Sequence, residues 1–497
     1  MRHLKLFTDL HSNLHHEQIH ELEKWYNHAK EMLDFWAVVY YPYHVVKTEG
    51  GMPVETIHSD EIIKKDWEYI RNFLKEHNDP NFPVFLAYEW QGNGEDGDHN
   101  VFFLDDGEPI FPLTYKELCD QLPKTAIAIP HHVGYLKGFR GKNWDTHNEE
   151  VSPVVEIFSS HGSSESAFTD LPMVRHIHMG PRTGGGTVFD GLNRGYKFGI
   201  IASGDNHVVS TMYEHGFACI KAKSKSKNDI WEAIKNREVY AVTSSKILLD
   251  YDYKENTHNV EVYASDAVSR IELIKNGNVH QTYVHNGTWE EKELGDTVKF
   301  KFKIEFGWGP DTKIFEDISS KVWDVELQTS GKIVSVEKCF STFGQHLEWD
   351  NKSNKCKFTL TSHKNTQSGK WMGPSPITNE AVIFEIEDNI NSDLILNING
   401  KEFKKKISDI LANTDLIVFL DEAKKLVLER YNLKEFYRGD PFYQNAYKVR
   451  LLKGAPEMAY KVNCSFKTDK TNIGDYYLVK VIQRDGAVAW SSPIWIS

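Results

Sequence analysis

The sequence has few cysteines, no long apolar run and no excess of positive charge. Its five cysteines are scattered through 497 residues without CxxC spacing, which favours reduced, buried thiols over a disulfide framework. No run of about 18 apolar residues predicts a membrane-spanning helix, and the first residues follow a strand pattern instead of a signal peptide. A net charge of −13 argues against a nucleic-acid footprint. We therefore expect a cytoplasmic protein without a nucleic-acid or membrane partner.

Histidine is distributed unevenly along the chain. Of the 23 histidines, 18 lie at or before His215 and five lie after it. Surface histidines would be spread more evenly, so metal or acid–base chemistry is predicted in the first half.

A chain of 497 residues is also too long for one ordinary core, and we expect two or three domains.

Apolar runs of strand length recur through this first half, and nearly all of them end in histidine or a carboxylate. The run Phe198–Ala202, for example, is followed by Asp205 and His207, an oxygen and a nitrogen donor suited to Zn²⁺ or Mn²⁺. The other runs that end in this way are Leu4–Phe7 before Asp9 and His11, Phe35–Tyr41 before His44, Val84–Tyr88 before Glu89, Ala126–Ile129 before His131 and His132, and Val154–Phe158 before His161.

Helical segments or loops alternate with these strands, which predicts βαβ units and a parallel sheet. About seven such units fit a closed or nearly closed barrel, whose strands bring their carboxyl ends together at one mouth. A single histidine at a strand end is more often a structural group than a ligand. Six convergent cases are hard to explain as packing, and we predict a metal cluster at the mouth of a barrel.

The pattern changes after about residue 245, where short alternating stretches begin. These stretches, with turn signals at Asn276-Gly277 and Asn286-Gly287, predict a β-sandwich. Residues 345–465 are mixed, and a helix is predicted over Asp421–Arg430.

We therefore divide the chain into a metal-binding barrel at 1–245 and a β-rich domain at 246–497, with a mixed α/β insertion at 345–465. The second domain carries no histidine constellation. A lid, an oligomerisation surface and a carbohydrate-like platform stay open as its role, and so does a homo-oligomer.

Several short motifs occur together in this chain. They are Asp9-Leu-His11, Glu89-Trp90, Asn100–Phe103, Pro130-His-His132, Glu156–Gly162, Gly204-Asp-Asn-His207 and the closing Ala487–Trp495. This set resembles the PHP (polymerase and histidinol phosphatase) superfamily, and within it a poorly characterised bacterial subgroup. The resemblance implies an α/β fold, with a distorted (β/α)7 TIM-like barrel before the β-rich domain. It also implies two or three divalent metal ions and hydrolysis of phosphoesters by a metal-activated water.

The resemblance also implies a set of metal ligands. They are His11, Glu89, His99, His132 (or His131), His161, Asp205 and His207. Three of these residues are expected to be catalytic: Asp205 as a ligand that also accepts the proton of the water, Glu89 as a bridge between ions, and His161.

Two positions depart from the pattern of the family. Asn13 stands where the second histidine of the opening motif is expected, and Tyr40-Tyr41-Pro42 replaces a further ligand motif, leaving only the displaced His44. Because an amide is a poor ligand for a transition metal, we expect fewer than three sites. Two ions of Mn, Zn or Fe are the prediction.

Lys137, Arg140 and Arg182 fall in predicted loops at the mouth, where they could hold a phosphate or a sulfate. The expected substrate is therefore small and anionic, or carbohydrate-like. We favour a metal-dependent hydrolase of phosphoesters. A metal-dependent sulfoesterase or lyase acting on a carbohydrate-like substrate stays open, and so does a barrel that binds a ligand without turnover.

Overall fold

The computed structural model describes most of the chain. The described residues are 3–169, 171, 182–207, 215–285, 294–307, 320–362, 379–432, 447–469 and 471–497. The predicted turn at Asn286-Gly287 lies outside them. No helix in these ranges is both long and apolar enough to cross a membrane.

The first half of the chain alternates short strands with helices and loops. Its elements in chain order are β1 (Leu4–Thr8), β2 (Asn13–His15), α1 (Leu22–Met32), β3 (Trp36–Tyr41), β4 (Tyr43–Lys47), β5 (Pro53–Ile57), α2 (Asp60–Glu76), β6 (Val84–Trp90), β7 (His99–Phe103), α3 (Tyr115–Gln121), β8 (Ala126–Pro130), β9 (Val154–Ser159), β10 (Gly162–Ser163), α4 (Val188–Asn193), β11 (Gly199–Ala202), β12 (Gly216–Ala222), α5 (Lys227–Lys235) and β13 (Val239–Thr243).

Most of these strands surround one apolar interior. Ala37 and Val39 of β3, Ala87 of β6, Phe102 of β7 and Ile201 of β11 belong to one buried cluster. Alternate residues of β3 and β6 face α1 and α2 in a second cluster, so these strands are buried on both faces, as their continuous apolar runs predict. The mixed α/β class is therefore confirmed.

The sequence predicts a parallel sheet, but the strands of the structure are not all parallel. Strands β2, β3 and β6 are parallel neighbours, and β9 is parallel to β11. Strand β7, however, is antiparallel to both β6 and β8. The connection from Gln91 to Asp98 is shorter than the dozen or so residues that a parallel crossover needs, so the chain has to turn back on itself. The strands around the interior fall into separate hydrogen-bonded sheets.

The second half is dominated by antiparallel strands. Its elements are β14 (Leu248–Lys254), β15 (Thr257–Tyr263), β16 (Val268–Lys275), β17 (Asn278–Val284), β18 (Thr297–Gly307), β19 (Lys321–Gln328), β20 (Lys332–Cys339), β21 (His346–Glu348), β22 (Lys355–Ser362), β23 (Glu380–Asn389), β24 (Asp393–Ile398), β25 (Lys401–Lys406), α6 (Ile407–Ala412), β26 (Asp415–Val418), α7 (Leu420–Tyr431), β27 (Lys448–Leu451), β28 (Ala455–Pro456), α8 (Glu457–Tyr460), β29 (Lys461–Lys467), β30 (Tyr476–Gln483), β31 (Val488–Ser491) and β32 (Ile494–Trp495).

One sheet joins the two halves of the chain. Its strands run in the order β1-β12-β13-β31-β30-β16-β17, with β32 beside β30. Strand β13 pairs with β31, Tyr240 lying opposite Ser491. The sheet therefore continues across the predicted boundary near residue 245, and the last strands of the chain pack on the first half.

Two further sheets face each other in the second half. One has the order β20-β23-β18-β27-β26, and the other β21-β22-β19-β24-β25. Phe384 of the first sheet and Phe358 of the second lie 6.0 Å apart between ring centroids. These facing sheets take strands both from the alternating stretches and from residues 345–465, which the sequence predicts to be a mixed insertion. The predicted helix over Asp421–Arg430 is α7.

Replacement of Trp490 by alanine is expected to lower the free energy of unfolding by about 3–5 kcal/mol. Trp490 is fully buried on β31 and belongs to a cluster with Ile157 of β9 and Ile200 of β11, so truncation leaves a cavity beneath both strands. Urea denaturation followed by circular dichroism measures the loss. Ile473→Ala, at a side chain that is 88% exposed, should change stability by less than about 0.5 kcal/mol. Equal effects of the two variants would contradict the packing role of Trp490.

Candidate metal centre

Asp9 joins the loop after β1 to the loop after β11. Its Oδ1 accepts hydrogen bonds of 2.9 Å from the backbone N–H of His11 and from that of Gly204, and its Oδ2 accepts one of 2.8 Å from Ser12. A Cβ atom on Gly204 would lie 2.6 Å from Asp9 Oδ2, so only glycine allows this approach. Asp9 thereby fixes the distance between the loops that carry His11 and Asp205.

His11 lies between three carboxylates, and all four side chains are buried. Its Nδ1 is 3.1 Å from Glu156 Oε2. Its Nε2 is 3.4 Å from Glu89 Oε2 and 3.3 Å from Asp205 Oδ1. The side chain of Asn13 enters the same place, with Nδ2 2.9 Å from Glu89 Oε2.

A second group of donors adjoins the other oxygen of Asp205. His161 Nε2 lies 2.9 Å from Asp205 Oδ2, and His161 Nδ1 lies 2.9 Å from the hydroxyl of Tyr135. The ring of His132 is 4.8 Å from that of His161 between centroids, and its Nε2 is 3.4 Å from Asp98 Oδ2.

Four groups of three buried side chains have donor atoms close enough to hold a metal ion. They are His11 with Glu89 and His131, Asp98 with His131 and His132, His132 with His161 and Asp205, and His11 with Glu156 and Asp205. Within each group the donor atoms lie within 4.8 Å of one another. Asp205 belongs to two of the groups through different neighbours.

Buried nitrogen atoms without partners fit an ion at this place. Among the described residues, neither ring nitrogen of His131 nor the Nδ1 of His132 has a hydrogen-bond partner. A buried polar atom left without a partner costs free energy. Imidazole nitrogen and carboxylate oxygen together suit Mn²⁺, Fe²⁺ or Zn²⁺, so the donors present fit a divalent metal.

Five of the seven predicted ligands meet in these groups. They are His11, Glu89, His132, His161 and Asp205. His207 lies at the edge of the cluster, with Nε2 3.7 Å from Asp205 Oδ1 and Nδ1 2.7 Å from His15 Nε2.

His99 is not brought into the cluster. In the antiparallel pair β6–β7, Glu89 lies opposite Asn100, and because directly opposite residues point to the same face, His99 points to the other one. Its Nδ1 is 2.9 Å from the carbonyl oxygen of Gly97, and its Nε2 is 3.0 Å from Lys142 Nζ. Burial lowers the pKa of Lys142 to about 7.

Sequence reasoning missed two carboxylates and one histidine role. Asp98 precedes β7 and Glu156 lies inside the apolar strand β9, whereas the predicted ligands were sought at strand ends. A carboxylate inside a buried run is unusual unless it is paired, and that signal could have identified Glu156. His131 had been considered only in place of His132, yet both histidines contribute donors.

One of the three cations proposed to bind an anion lies beside the cluster. Arg140 donates from Nε to Asp98 and from Nη2 to Glu89 Oε1 at 3.5 Å. The other two are bound elsewhere: Lys137 pairs with Asp145 at the surface at 2.8 Å, and Arg182 donates to the carbonyl oxygen of Ser163 at 2.7 Å.

Three residues of this region have left-handed backbone conformations. The φ angles are 33° at His132, 50° at Asp205 and 68° at Arg140. Residues other than glycine rarely adopt positive φ, and such strained positions gather at functional sites. The loops are therefore held in the conformation that turns these side chains toward one another.

The charges of the cluster stabilise each other. Burial raises the pKa of Asp205, but His11 and His161 outweigh it and hold this pKa well below its usual value. Burial lowers the pKa of both His131 and His132 well below the usual range. Asp205 is therefore ionised while His131 and His132 are neutral, which are the protonation states that bind a metal ion.

Metal uptake is expected to increase with pH. Burial lowers the pKa of His11, but the negative charges of Asp205 and Glu156 hold it well above its usual value, so His11 carries a proton at neutral pH before an ion binds. The ion has to displace that proton, and affinity should rise by about tenfold per pH unit for each proton released. Calorimetric titration with Mn²⁺ at several pH values, in buffers of different ionisation enthalpy, measures both effects. A pH-independent affinity without proton release would contradict this account of His11.

Comparison with known proteins gives distant relatives. No family model matches the sequence. An uncharacterised protein of Chlamydia muridarum is 25% identical over 221 residues, covering 38% of this chain and 35% of the relative. A protein of Chlamydia pneumoniae, also uncharacterised, is 24% identical over 202 residues, covering 35% of this chain and 32% of the relative. The chain thus spans between 32% and 35% of the length of these curated relatives.

A solved structure from Bacteroides vulgatus is a two-domain protein containing a predicted PHP-like metal-dependent phosphoesterase. It covers 81% of this chain and 95% of its own, with 10% sequence identity and a TM-score of 0.33. The chemistry of the present cluster follows from its own residues.

Proposed function

We propose that this protein is a metal-dependent hydrolase of phosphoesters that uses two divalent ions at the mouth of a distorted barrel. The observation that carries the proposal is the position of Asp205. Its Oδ1 lies 3.3 Å from His11 Nε2, and its Oδ2 lies 2.9 Å from His161 Nε2. One carboxylate thus adjoins two sets of donors, as a ligand shared by two ions would.

The proposal places the ions at two sites. One ion would be held by His11, whose Nε2 adjoins Glu89 Oε2 at 3.4 Å and Asp205 Oδ1 at 3.3 Å, together with these two carboxylates. This set combines residues of two of the groups above, which share His11. The other ion would be held by His132, His161 and Asp205. Ions bound there would lower the pKa of a coordinated water and offset negative charge on an ester oxygen.

The protein groups around the ions have separate roles. If His161 held an ion through Nε2, its Nδ1–H would donate a hydrogen bond to the hydroxyl oxygen of Tyr135, which lies 2.9 Å away and would fix the orientation of the ring. Asp205 remains ionised because histidines surround it, so it can both hold the ions and accept a proton from the attacking water. Glu89 contacts Arg140 through Oε1 and His11 through Oε2, so it positions the guanidinium beside the proposed ligands.

The substrate of this proposal is a small phosphoester. Arg140 is the described cation nearest the ligands, and its guanidinium suits the non-bridging oxygens of a phosphoryl group as negative charge increases on them. The absence of nucleic-acid and membrane partners, the cytoplasmic location and the oligomeric state stay predictions.

A screen of synthetic esters tests the reaction. The full chain is stripped of metal and reloaded with Mn²⁺, Zn²⁺ or Fe²⁺. It is then assayed with p-nitrophenyl phosphate, bis(p-nitrophenyl) phosphate and p-nitrophenyl sulfate. We expect metal-dependent release of nitrophenol from a phosphate ester. Turnover of the sulfate ester alone would replace the proposal with a sulfoesterase, and binding of ions without turnover of any ester would favour a ligand-binding barrel.

Replacement of Arg140 by alanine is expected to lower kcat/KM by roughly ten- to hundredfold, the size of one charge-assisted hydrogen bond of about 1.5–3 kcal/mol. The change removes the cation that faces Asp98 and Glu89. Lys137→Ala is the matched control, because Lys137 pairs with Asp145 at the surface and should leave steady-state kinetics unchanged. Lys137 was among the residues that the sequence analysis assigned to anion binding, a role that would raise KM in Lys137→Ala. A larger effect at Lys137 than at Arg140 would favour that role.

A further inference from the structure

Asn13 occupies the centre of the first group of donors. It begins β2, where it pairs with Val39 of β3, and Val39 faces the barrel interior. Its side chain is completely buried. Nδ2 lies 2.9 Å from Glu89 Oε2 and 3.3 Å from both His11 Nε2 and Asp205 Oδ1. The amide therefore touches the three side chains that would hold one of the ions.

These donor atoms lie close to one another. His11 Nε2 is 3.4 Å from Glu89 Oε2 and 3.3 Å from Asp205 Oδ1. Together with the three distances from Asn13, five of the six separations among the four atoms measure between 2.9 and 3.4 Å. Donors bound to one ion at about 2.0–2.1 Å lie about 3–4 Å apart, so Asn13 is close enough to share an ion with His11 and with either carboxylate.

The other end of the amide has no partner. Asn13 Oδ1 is buried and accepts no hydrogen bond within the described part of the chain. The two ends of a carboxamide are similar in size, and a half turn about the Cβ–Cγ bond exchanges them. With the amino group inward, the amide donates to two carboxylates, and with the oxygen inward, it offers a lone pair to a cation.

We propose that Asn13 is a metal ligand through Oδ1, and that it makes this site rich in oxygen and selective toward harder ions. The inference rests on the proposed metal-dependent function. Three oxygen donors and one imidazole nitrogen favour Mn²⁺ relative to Zn²⁺ more than a set with two imidazoles does, because nitrogen ligands suit Zn²⁺ better. The sequence had suggested that Asn13 weakens the cluster, whereas its position indicates that it sets the metal preference.

Variants of Asn13 with different donors test this role in the full chain. Asn13→Leu keeps similar bulk without a donor, and Asn13→His supplies a nitrogen. Binding of Mn²⁺ and of Zn²⁺ to metal-stripped protein is measured by calorimetry, and Mn²⁺ is also followed by its electron paramagnetic resonance spectrum. Asn143→Leu is the control, since Asn143 is a half-buried asparagine whose amide donates to Asp96 at 3.3 Å and not to a proposed ligand.

We expect Asn13→Leu to weaken Mn²⁺ binding at one of two sites by about 10- to 100-fold, at least the cost of losing a group that supports a ligand. Asn13→His should bind Zn²⁺ well and Mn²⁺ poorly, so its ratio of Zn²⁺ to Mn²⁺ affinity should exceed that of the wild type by about tenfold or more. Thermal unfolding of the metal-free variants separates a lost ligand from a lost fold.

The outcomes distinguish a failure of the proposed role of Asn13 from a failure of the proposed metal-dependent function. If the wild type binds ions and both Asn13 variants bind them with unchanged affinity and ratio, Asn13 is no ligand and only the inference is overturned. If the metal-free Asn13→His and Asn13→Leu proteins are unfolded, Asn13→Asp decides, because an oxygen ligand predicts that this variant keeps the Mn²⁺ preference and a structural amide predicts that it loses it. If the wild type binds no divalent ion, both fail.

Discussion

Replacement of Asp205 by asparagine is expected to lower kcat by at least about two to three orders of magnitude, the effect of losing a general base or one electrostatic donor. Asparagine keeps the shape of the side chain but removes the charge that faces His11 on one side and His161 on the other. The variant should bind both ions more weakly, because each proposed site loses the same ligand.

The comparison is made at saturating Mn²⁺ with whichever ester the wild type hydrolyses. Asp145→Asn is the matched control, because Asp145 is exposed and pairs only with surface cations among its described contacts. It should retain the kcat of the wild type. An Asp205→Asn enzyme with nearly wild-type kcat would show that the activity belongs to another part of the protein.

Removal of metal by a chelator is expected to abolish activity and to destabilise the fold. Without ions, the buried carboxylates Glu89, Asp98, Glu156 and Asp205 are left with one arginine and a few histidines as counter-charges. A ligand present at 100 times its Kd stabilises the folded state by about 2.7 kcal/mol for each site. Two sites should therefore raise the free energy of unfolding by about 5 kcal/mol.

Urea denaturation with EDTA and with excess Mn²⁺ measures this difference, and the ester assay is run on the same samples. Restoration of both stability and activity by added Mn²⁺ is the expected result. The Trp490→Ala variant provides a control, since its lower stability should respond to Mn²⁺ by the same amount. Activity and stability that survive complete metal removal would exclude a metal-dependent hydrolase.

Local patterns in the sequence were sufficient to indicate most of the side chains that meet in the buried cluster. The apolar runs of β6, β8, β9 and β11 are buried strands, and the polar residues after them face a common place because strand ends converge. Glu89 and Asp205 could be identified in this way without any knowledge of pairing. The histidine-rich half of the chain is the half that carries the donors.

Features that depend on strand direction could not be predicted in the same way. The side of the sheet that His99 faces depends on how β7 pairs with β6, because a shift of one residue in the pairing moves a side chain to the opposite face. The short connection after Gln91 favours the antiparallel arrangement, and its length was the available signal. Glu156 was missed because it lies within β9 rather than after it.

Pairing between strands that are distant in the sequence could not be predicted from local patterns either. Tyr240 of β13 lies opposite Ser491 of β31, across most of the second half of the chain. Nothing in the composition near residue 245 indicates that a sheet continues there, since a strand edge does not encode its partner in its own residues. The proposed role of Asn13 could not be predicted from local patterns for the same reason. An amide is a poor ligand in isolation, and only the folded structure shows that donors surround it.

The most direct test of the metal centre is to locate the ions by anomalous diffraction from crystals of the full chain grown with excess Mn²⁺. We expect one peak at the manganese edge among His11, Glu89 and Asp205, in contact with Asn13, and a second among His132, His161 and Asp205. No peak at either position under saturating Mn²⁺, or ions bound only outside these residues, would show that this cluster is not a metal centre.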